Sequence, residues 1–396
     1  MSPLAPKIEA ELAEIIADSH AHETPLRLVG AGTKGALGRP SEGKPLTLAA
    51  FSGVTLYEPE ELVISAGAGT PRAEIEALLD AHGQQLAFEP IDFCPLLGGA
   101  PGQGTVGAMT AIGASGPRRL KAGGLRDHLL GFRCVTGRGE IVKSGGRVMK
   151  NVTGYDLSKL VAGSYGTLAA LTEVTFKVLP KAETEATLVF ETQDEAAALA
   201  ALRTAAKTPN ETSGLAALPK GAAPLGLARD AALMRLEGPA ISVAKRLEDI
   251  RAALGGGETL SAPESAALWR DLRDAAPIAS AQGLVWRVSV APTDGFALVD
   301  ALRHAEAPLL AHFYDWAGGL VWLRVARGPD AHAALIRSAV ARLGGHSTLI
   351  CAGAETRASV EVFQPQPPAL AALTRRVKES FDPRHIMERG RMRAEF

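Results

Sequence analysis

Apolar and polar positions alternate in two regimes along this chain. Over residues 7–22, Ile8, Leu12, Ile15 and Ile16 share one face, with Glu9, Glu11, Glu14 and Asp18 around it. That spacing predicts an amphipathic helix. Short apolar runs then predict strands at 26–29, 46–49, 55–58 and 62–65. Pro71 opens a predicted helix over 71–80, where a first-turn proline and the early acids Glu74 and Glu76 suit the N-terminus. Gly83 ends it. Residues 129–136 and 140–143, joined by Gly137-Arg138-Gly139, predict a hairpin. A helix over 155–161 and a strand over 168–179, stopped by Pro180, complete the first regime.

Beyond Pro180 glycines thin out, alanines dominate and strands alternate with helices. Strands are predicted at 186–191, 232–236, 284–291, 309–315, 320–326 and 347–352, and helices at 194–204, 240–254, 294–304 and 331–343. The economical arrangement is two βαβ-like halves in one antiparallel sheet with helices on one face. Trp316-Ala317-Gly318-Gly319 reads as a hairpin tip. The tail, 368–396, carries a helix over 370–381 broken by Asp382-Pro383.

A length of 396 residues exceeds the roughly 250–300 at which one core stops growing, so two domains are expected, with a boundary near 180. With 42 basic and 43 acidic residues there is no global field to draw in nucleic acid or an anionic membrane. The three cysteines, Cys94, Cys134 and Cys351, are widely spaced and argue against a disulfide framework, a zinc site or an iron–sulfur cluster. The N-terminus lacks an apolar signal core, and no apolar run is long enough to span a bilayer. The expectation is a cytoplasmic protein without a direct membrane span.

Between Gly98 and Gly146 fourteen glycines fall in forty-nine residues, interleaved with Val106, Met109, Ile112, Leu125 and Phe132. A flexible linker would be polar and repetitive; this pattern suggests backbone moulded closely around a large ligand. Gly30-x-Gly32-x-x-Gly35 follows a predicted strand and matches the dinucleotide fingerprint. A Rossmann site would need a helix at once and an acidic residue about twenty positions on. Pro40 and Gly43 block the helix, and Ala49-Ala50-Phe51-Ser52 offers no carboxylate. What survives is either a tight turn or a glycine-lined nest whose amides could hold a pyrophosphate.

The nest at 30–35, Gly67-Ala68-Gly69-Thr70, Gly104-Thr105-Val106-Gly107 and Gly163-Ser164-Tyr165-Gly166-Thr167-Leu168 form an ordered series. That series resembles the FAD-binding domain of the vanillyl-alcohol oxidase/p-cresol methylhydroxylase (PCMH) superfamily. Three further segments most resemble the FAD-binding E subunits of glycolate oxidase: Gly113 to Arg119, Val148 to Leu157, and Phe381 to Met392. The resemblance implies an α+β protein: a two-subdomain PCMH-type FAD-binding domain over 1–180, a ferredoxin-like α+β cap with an antiparallel sheet over 181–367, and a C-terminal segment over 368–396 returning to the first domain. It implies that Val29, Gly30, Ala31, Gly32, Thr33 and Lys34 wrap the FAD pyrophosphate with main-chain donors. Gly104, Thr105 and Gly107 would line the diphosphate and ribityl chain, with Ala111, Gly113 and Gly116 nearby, and Ala170 would meet the adenosine end through its backbone. Many relatives bond FAD through a histidine just after the first glycines. None of the nine histidines lies there, so non-covalent FAD is expected, with Thr33 a candidate phosphate partner.

The catalytic side is less well supplied, and no catalytic residue is assigned. Related catalytic subunits carry a histidine-rich metal motif and a Gly-Glu-His-Gly segment; this chain has Gly344-Gly345-His346-Ser347, so no metal site is expected. His346 is a weak general-base candidate, and His312 reads as core or as interface. Arg118 and Arg119 read as surface cations or as flavin or substrate contacts. Lys150 and Tyr155 either support the flavin or brace a helix, and Asp156 is an N-cap or a functional acid. Arg235, Arg287 and Arg324 lie on cap strands where one could meet a carboxylate. The resemblance implies a subunit that oxidises a small 2-hydroxy acid, glycolate, with a catalytic FAD subunit and an iron–sulfur subunit; the complex would allow peripheral association with the inner membrane. A self-sufficient FAD oxidoreductase and a structural subunit without flavin turnover are the alternatives.

Overall fold

A computed structural model describes residues 3–146, 155–280 and 282–396. The chain opens with α1 (Glu9–Ala21), β1 (Leu26–Val29) and β2 (Lys44–Thr47), then β3 (Val54–Glu58), β4 (Val63–Gly67), α2 (Arg72–Ala81) and β5 (Gln84–Gln85). Three short helices follow: α3 (Val106–Ile112), α4 (Arg119–Ala122) and α5 (Leu125–His128). Then come β6 (Leu129–Thr136), β7 (Ile141–Gly145), α6 (Ser158–Val161), β8 (Ala169–Lys177) and β9 (Leu179–Pro180). β1 and β2 pair in parallel, with Leu26 opposite Lys44. A five-stranded sheet runs β3-β4-β8-β6-β7, and every pair in it is antiparallel.

Apolar burial divides this region into two cores. Leu12 and Ile16 of α1 pack with Leu26, Leu46, Val135 and Ala170, joined by Ile386 and Met387 from the tail. On its other side the five-stranded sheet packs Ile64, Val174 and Phe176 against Ile75, Leu79, Val106 and Met109 of the helices. β1, the loop after it and α3 therefore face one another across the gap between the two cores.

From residue 184 onward the chain builds β10 (Thr184–Thr192), α7 (Glu195–Ala206), β11 (Gly214–Leu218), β12 (Asp230–Gly238), α8 (Ala240–Leu254) and β13 (Glu258–Leu260). After α9 (Ala262–Arg273) the pattern repeats as β14 (Leu284–Ser289), α10 (Gly295–His304), β15 (Leu309–Asp315), β16 (Leu320–Val325), α11 (Ala333–Arg342) and β17 (His346–Cys351). Each half is a βαββαβ unit of ferredoxin-like type. The sheet order β13-β10-β12-β11-β15-β16-β14-β17 shows the two units fused edge to edge through β11 and β15. The overall class is α+β.

Two differences from the sequence expectation stand out. Helices occupy both faces of the sheet. Residues of α7, α8, α10 and α11 share one core with it, while Leu268, Trp269 and Leu272 of α9 pack on the other face with Leu37, Ile91 and Phe93 of the first domain. Asp156 does not cap α6. Leu157 holds that position, and Asp156 instead lies 3.8 Å from Lys159.

The short helix α12 (Ala354–Ser359) and then α13 (Pro368–Phe381) lead back to β1. Lys378, buried, donates to Asp382 Oδ2 at 2.6 Å and to the carbonyls of Thr167 and Met387. Asp382 also accepts the amides of Ile386 and Met387. This knot fixes the tail so that the Leu26 amide donates to the Ile386 carbonyl at 2.7 Å. Among the described residues no helix is long and apolar enough to cross a membrane.

Candidate functional site

A cavity of about 520 Å³ lies where β1, α3 and β8 converge, within the range of about 300–1,000 Å³ common for ligand sites. Its floor is the loop after β1. Val29, Gly30, Ala31, Gly32, Thr33 and Lys34 all line it, as do Thr105, Gly107 and Ala111 from α3 and the turn before it. Ala169 and Leu171 of β8 close one side. Sequence-predicted residues from positions 29 and 111 thus meet across one opening.

The glycines are where backbones approach most closely. A Cβ on Gly30 would stand 2.6 Å from Thr105 Oγ1, and one on Gly107 would stand 2.7 Å from Ala68 Cβ. The first contact would push the loop and α3 apart, and the second would push α3 away from the end of β4. Among the described residues, the amides of Ala31, Gly32, Thr33 and Lys34 meet no backbone acceptor, and the buried Thr33 Oγ1 has no hydrogen-bond partner. Buried polar groups are rarely left unpaired. A curved row of free amides beside an unpartnered hydroxyl suits phosphate oxygens. The residues present therefore fit a dinucleotide pyrophosphate.

The Lys34 ammonium is already engaged by protein groups, with Nζ 2.7 Å from Cys94 Sγ and 3.9 Å from Asp92. Asp92 accepts the amides of Cys94 and Gly102. Burial raises its pKa, but these hydrogen bonds, with the Arg72 charge, hold it below the usual carboxylate range.

Four other predicted residues sit off the cavity wall. Gly104 takes φ +136 and borders a smaller recess with Lys34 and Thr105. Gly113 ends α3 in the left-handed region, a hydrogen bond away from Met109, and a Cβ there would stand 2.8 Å from the Gly163 amide nitrogen. Gly116 packs under Glu89 and Arg273. Ala170 turns its side chain into the α1 core, between the lining residues Ala169 and Leu171. Lys150 lies outside the described residues, and Tyr155 is 92% exposed.

Two residues without an assigned role brace the nest. Glu388, at φ +48, accepts the Leu28 amide at 2.7 Å and the Ser41 hydroxyl at 2.6 Å. Arg391 pairs with Glu388 and donates to the carbonyls of Gly35, Leu37 and Arg39. The loop is thus held from below by the tail.

The face of the cap sheet that carries Val285, Trp322 and Ile350 packs on the first domain, beside the cavity residues Ile112 and Tyr165. Ile112, Ala114 and Tyr165 of the first domain pack on that face. The three candidate cap arginines differ in their partners. Arg235, buried, forks onto Glu89 at 2.8 and 3.1 Å, and Arg118 bridges Glu89 and Glu237. Burial pushes Glu237 up, but Arg235 and Arg118 outweigh it and bring its pKa to about 2. Arg324 donates to the carbonyls of Ile278 and Gln282. Arg287 pairs with neither carboxylate nor carbonyl among the described residues, and its buried Nε has no partner. His312 is a core residue, 2.8 Å from Glu195.

These features are those of an FAD-binding oxidoreductase, with a fold like that of p-cresol methylhydroxylase. Residues 4–145 match the FAD binding domain family. The chain is 35% identical over 389 residues to glycolate oxidase subunit GlcE of Escherichia coli (strain K12), covering 97% of each chain, and it belongs to that family. It is 30% identical over 270 residues to glycolate oxidase subunit GlcD of Bacillus subtilis (strain 168), covering 65% of this chain and 56% of that one. The fold also matches a crystal structure of p-cresol methylhydroxylase with substrate bound, at TM-score 0.69 and 14% identity, covering 98% of this chain and 88% of that one. An alkyldihydroxyacetonephosphate synthase aligns at TM-score 0.66 and 17% identity, over 97% and 76% of the two chains.

Proposed function

We propose that this chain is the FAD-binding subunit of a glycolate-oxidising complex, working with a catalytic FAD subunit and an iron–sulfur subunit. The observation that carries this reading is the nest after β1, whose free amides and unpartnered Thr33 hydroxyl await an anion. Val29, Gly30, Ala31, Gly32, Thr33 and Lys34 would hold the FAD pyrophosphate, with Gly104, Thr105, Gly107 and Ala111 against the adjoining chain. Gly113 and Gly116 would shape the turn that leaves α3, and Ala170 would reach the adenosine end only through its main chain. Bound flavin would supply a two-electron acceptor, and the protein would supply binding, orientation and electrostatics. No histidine stands in the nest, which supports non-covalent attachment.

The likeness to both a GlcE and a GlcD protein supports a complex of related flavoproteins. With three dispersed cysteines, two of them buried, this chain offers no ligand set for a cluster, so electrons would leave through another subunit. The test is glycolate-dependent reduction of an artificial acceptor by the isolated chain and by the co-expressed complex. The reading expects turnover by the complex and little by the isolated chain. Full activity of the isolated chain would replace it with a self-sufficient oxidoreductase.

A further inference from the structure

Arg287 is left without a charged partner among the described residues on the cap face that packs against the first domain. Arg287 lies on β14 opposite Trp322 on β16 and Thr348 on β17. Its guanidinium sits 4.9 Å from the ring centre of Trp316 and 5.7 Å from that of Trp322. Arg119, from α4 of the first domain, lies 4.6 Å from the same Trp316 ring. Trp316 is itself fixed across the domain boundary, its Nε1 donating to the Gly116 carbonyl at 3.1 Å.

Two guanidinium groups thus share one indole, and neither has an ion-pair partner among the described residues. Such an arrangement costs like-charge repulsion, which aromatic faces offset only in part. The neighbouring carboxyl does not cancel it. Asp315 is buried, which raises its pKa to about 7 against the opposing hydrogen bond from the Trp316 amide. Tyr165, which lines the FAD cavity, lies on the same side of the sheet. Both Tyr165 (φ +55) and Trp316 (φ +51) adopt the left-handed region. Bulky residues held there mark backbone constrained by its surroundings, as functional sites often are.

Resting on the reading that FAD fills the adjoining nest, we infer that Arg287, with Arg119, forms a binding site for the carboxylate of a small 2-hydroxy acid. This chain would then carry its own substrate-class site at the junction of the two domains. A planar guanidinium matches a carboxylate through two parallel hydrogen bonds. Arg287 is the anchor, since its strand and the two tryptophans hold it in place; Arg119, more exposed, adds charge. Arg235 and Arg324 are already hydrogen-bonded to protein acceptors, which leaves Arg287 as the one of the three open to an anion.

The test uses the full chain loaded with FAD and reads the visible flavin spectrum during titration with oxalate, with glycolate under anaerobic conditions, and with ethane-1,2-diol. Both carboxylates should perturb the flavin bands saturably, and the diol should not. Arg287→Met should raise the oxalate dissociation constant roughly ten- to a hundredfold, the worth of a charged hydrogen-bonded pair. Arg287→Lys should keep part of the affinity, and Arg119→Met should cost less than Arg287→Met. The exposed Arg327→Met is the control and should change nothing. If the chain binds FAD but oxalate leaves the spectrum untouched, or if Arg287→Met binds oxalate as tightly as the parent, the inference is overturned while the flavin reading stands. If Arg287→Met weakens FAD itself and leaves oxalate affinity alone, Arg287 serves the cofactor and the inference fails too. A chain that takes up no FAD overturns the underlying reading first.

Discussion

Gly30→Ala probes the nest most sharply, because the added atom has one well-defined obstacle. Gly30 is not in the left-handed region, so alanine is tolerated by the backbone there. Its Cβ would stand 2.6 Å from Thr105 Oγ1 and 3.3 Å from Thr105 Cγ2. That hydroxyl caps α3 by accepting the Ala108 amide at 3.3 Å, so it cannot retreat freely. Overpacking costs about 1–3 kcal/mol, a strained cap about 1 kcal/mol, and the lost chain entropy of glycine returns about 0.4–1 kcal/mol. The net loss is about 1–3 kcal/mol of stability in the apo chain, and the displaced loop should grip FAD more weakly. Thr105→Ala alone should cost about 1 kcal/mol through the cap. Combined with Gly30→Ala it removes the obstacle, so the pair should couple by about 1–2 kcal/mol, well above the roughly 0.5 kcal/mol scatter of independent sites. Thr105→Ser keeps the hydroxyl and should not rescue. FAD dissociation constants from flavin fluorescence, with unfolding midpoints of the apo chain, provide the cycle. Additive single effects would refute the packing argument.

Three further outcomes follow from the same geometry. Thr33→Val removes an unpartnered buried hydroxyl; it should leave apo stability unchanged or slightly higher while weakening FAD about tenfold, measured by the same fluorescence titration. Asp382→Asn leaves the buried Lys378 ammonium without its counter-charge, which should cost about 3–5 kcal/mol in urea unfolding and loosen FAD through the tail; an unfolding midpoint equal to the parent's would dismiss the knot. Glu195 has a folded-state pKa of about 2, since burial pushes it up but hydrogen bonds from His312, Tyr314 and Arg303 prevail. A depressed carboxyl stabilises the fold above its unfolded pKa, and that contribution is lost as pH falls through about 4.5 towards 2, up to about 3 kcal/mol. Parent and Glu195→Gln melting temperatures should therefore converge on acidification; parallel curves would contradict the assignment.

Strong local periodicity made much of the fold legible in the sequence. β1, β6 and β15 fall at the expected residues, and α8 runs over Ala240–Leu254 as expected. Of the elements that escaped, three show why. β11, Gly-Leu-Ala-Ala-Leu, is buried throughout, so it shows no alternation and little β-branching. α3 spans seven residues with Gly107 inside, too short for a helical period to register. α9 carries a signal that was there to read: Ser261 and Glu264 form a capping box, the mark of a helix start. Its Trp269 packs on the sheet face that meets the first domain, which is why helices occupy both faces.

The site divides along the same line. Residues 29–34 are contiguous and glycine-marked, so the nest could be recognised from local spacing. Glu388 and Arg391 reach it only through the tertiary return of the tail, which no spacing rule encodes. The cap arginines were equivalent in sequence, each on a predicted strand. Only the partners supplied by other elements, Glu89 for Arg235 and the Ile278 and Gln282 carbonyls for Arg324, leave Arg287 distinct.

The central claim is that the loop after β1 holds FAD without a covalent bond. The most direct measurement is the visible spectrum of the purified, FAD-supplemented chain after removal of free cofactor, followed by acid precipitation. The account predicts the two-banded spectrum of oxidised flavin on the native protein, with all of the FAD released to the supernatant by acid. A colourless protein after FAD addition, or flavin that stays with the precipitate, would contradict it.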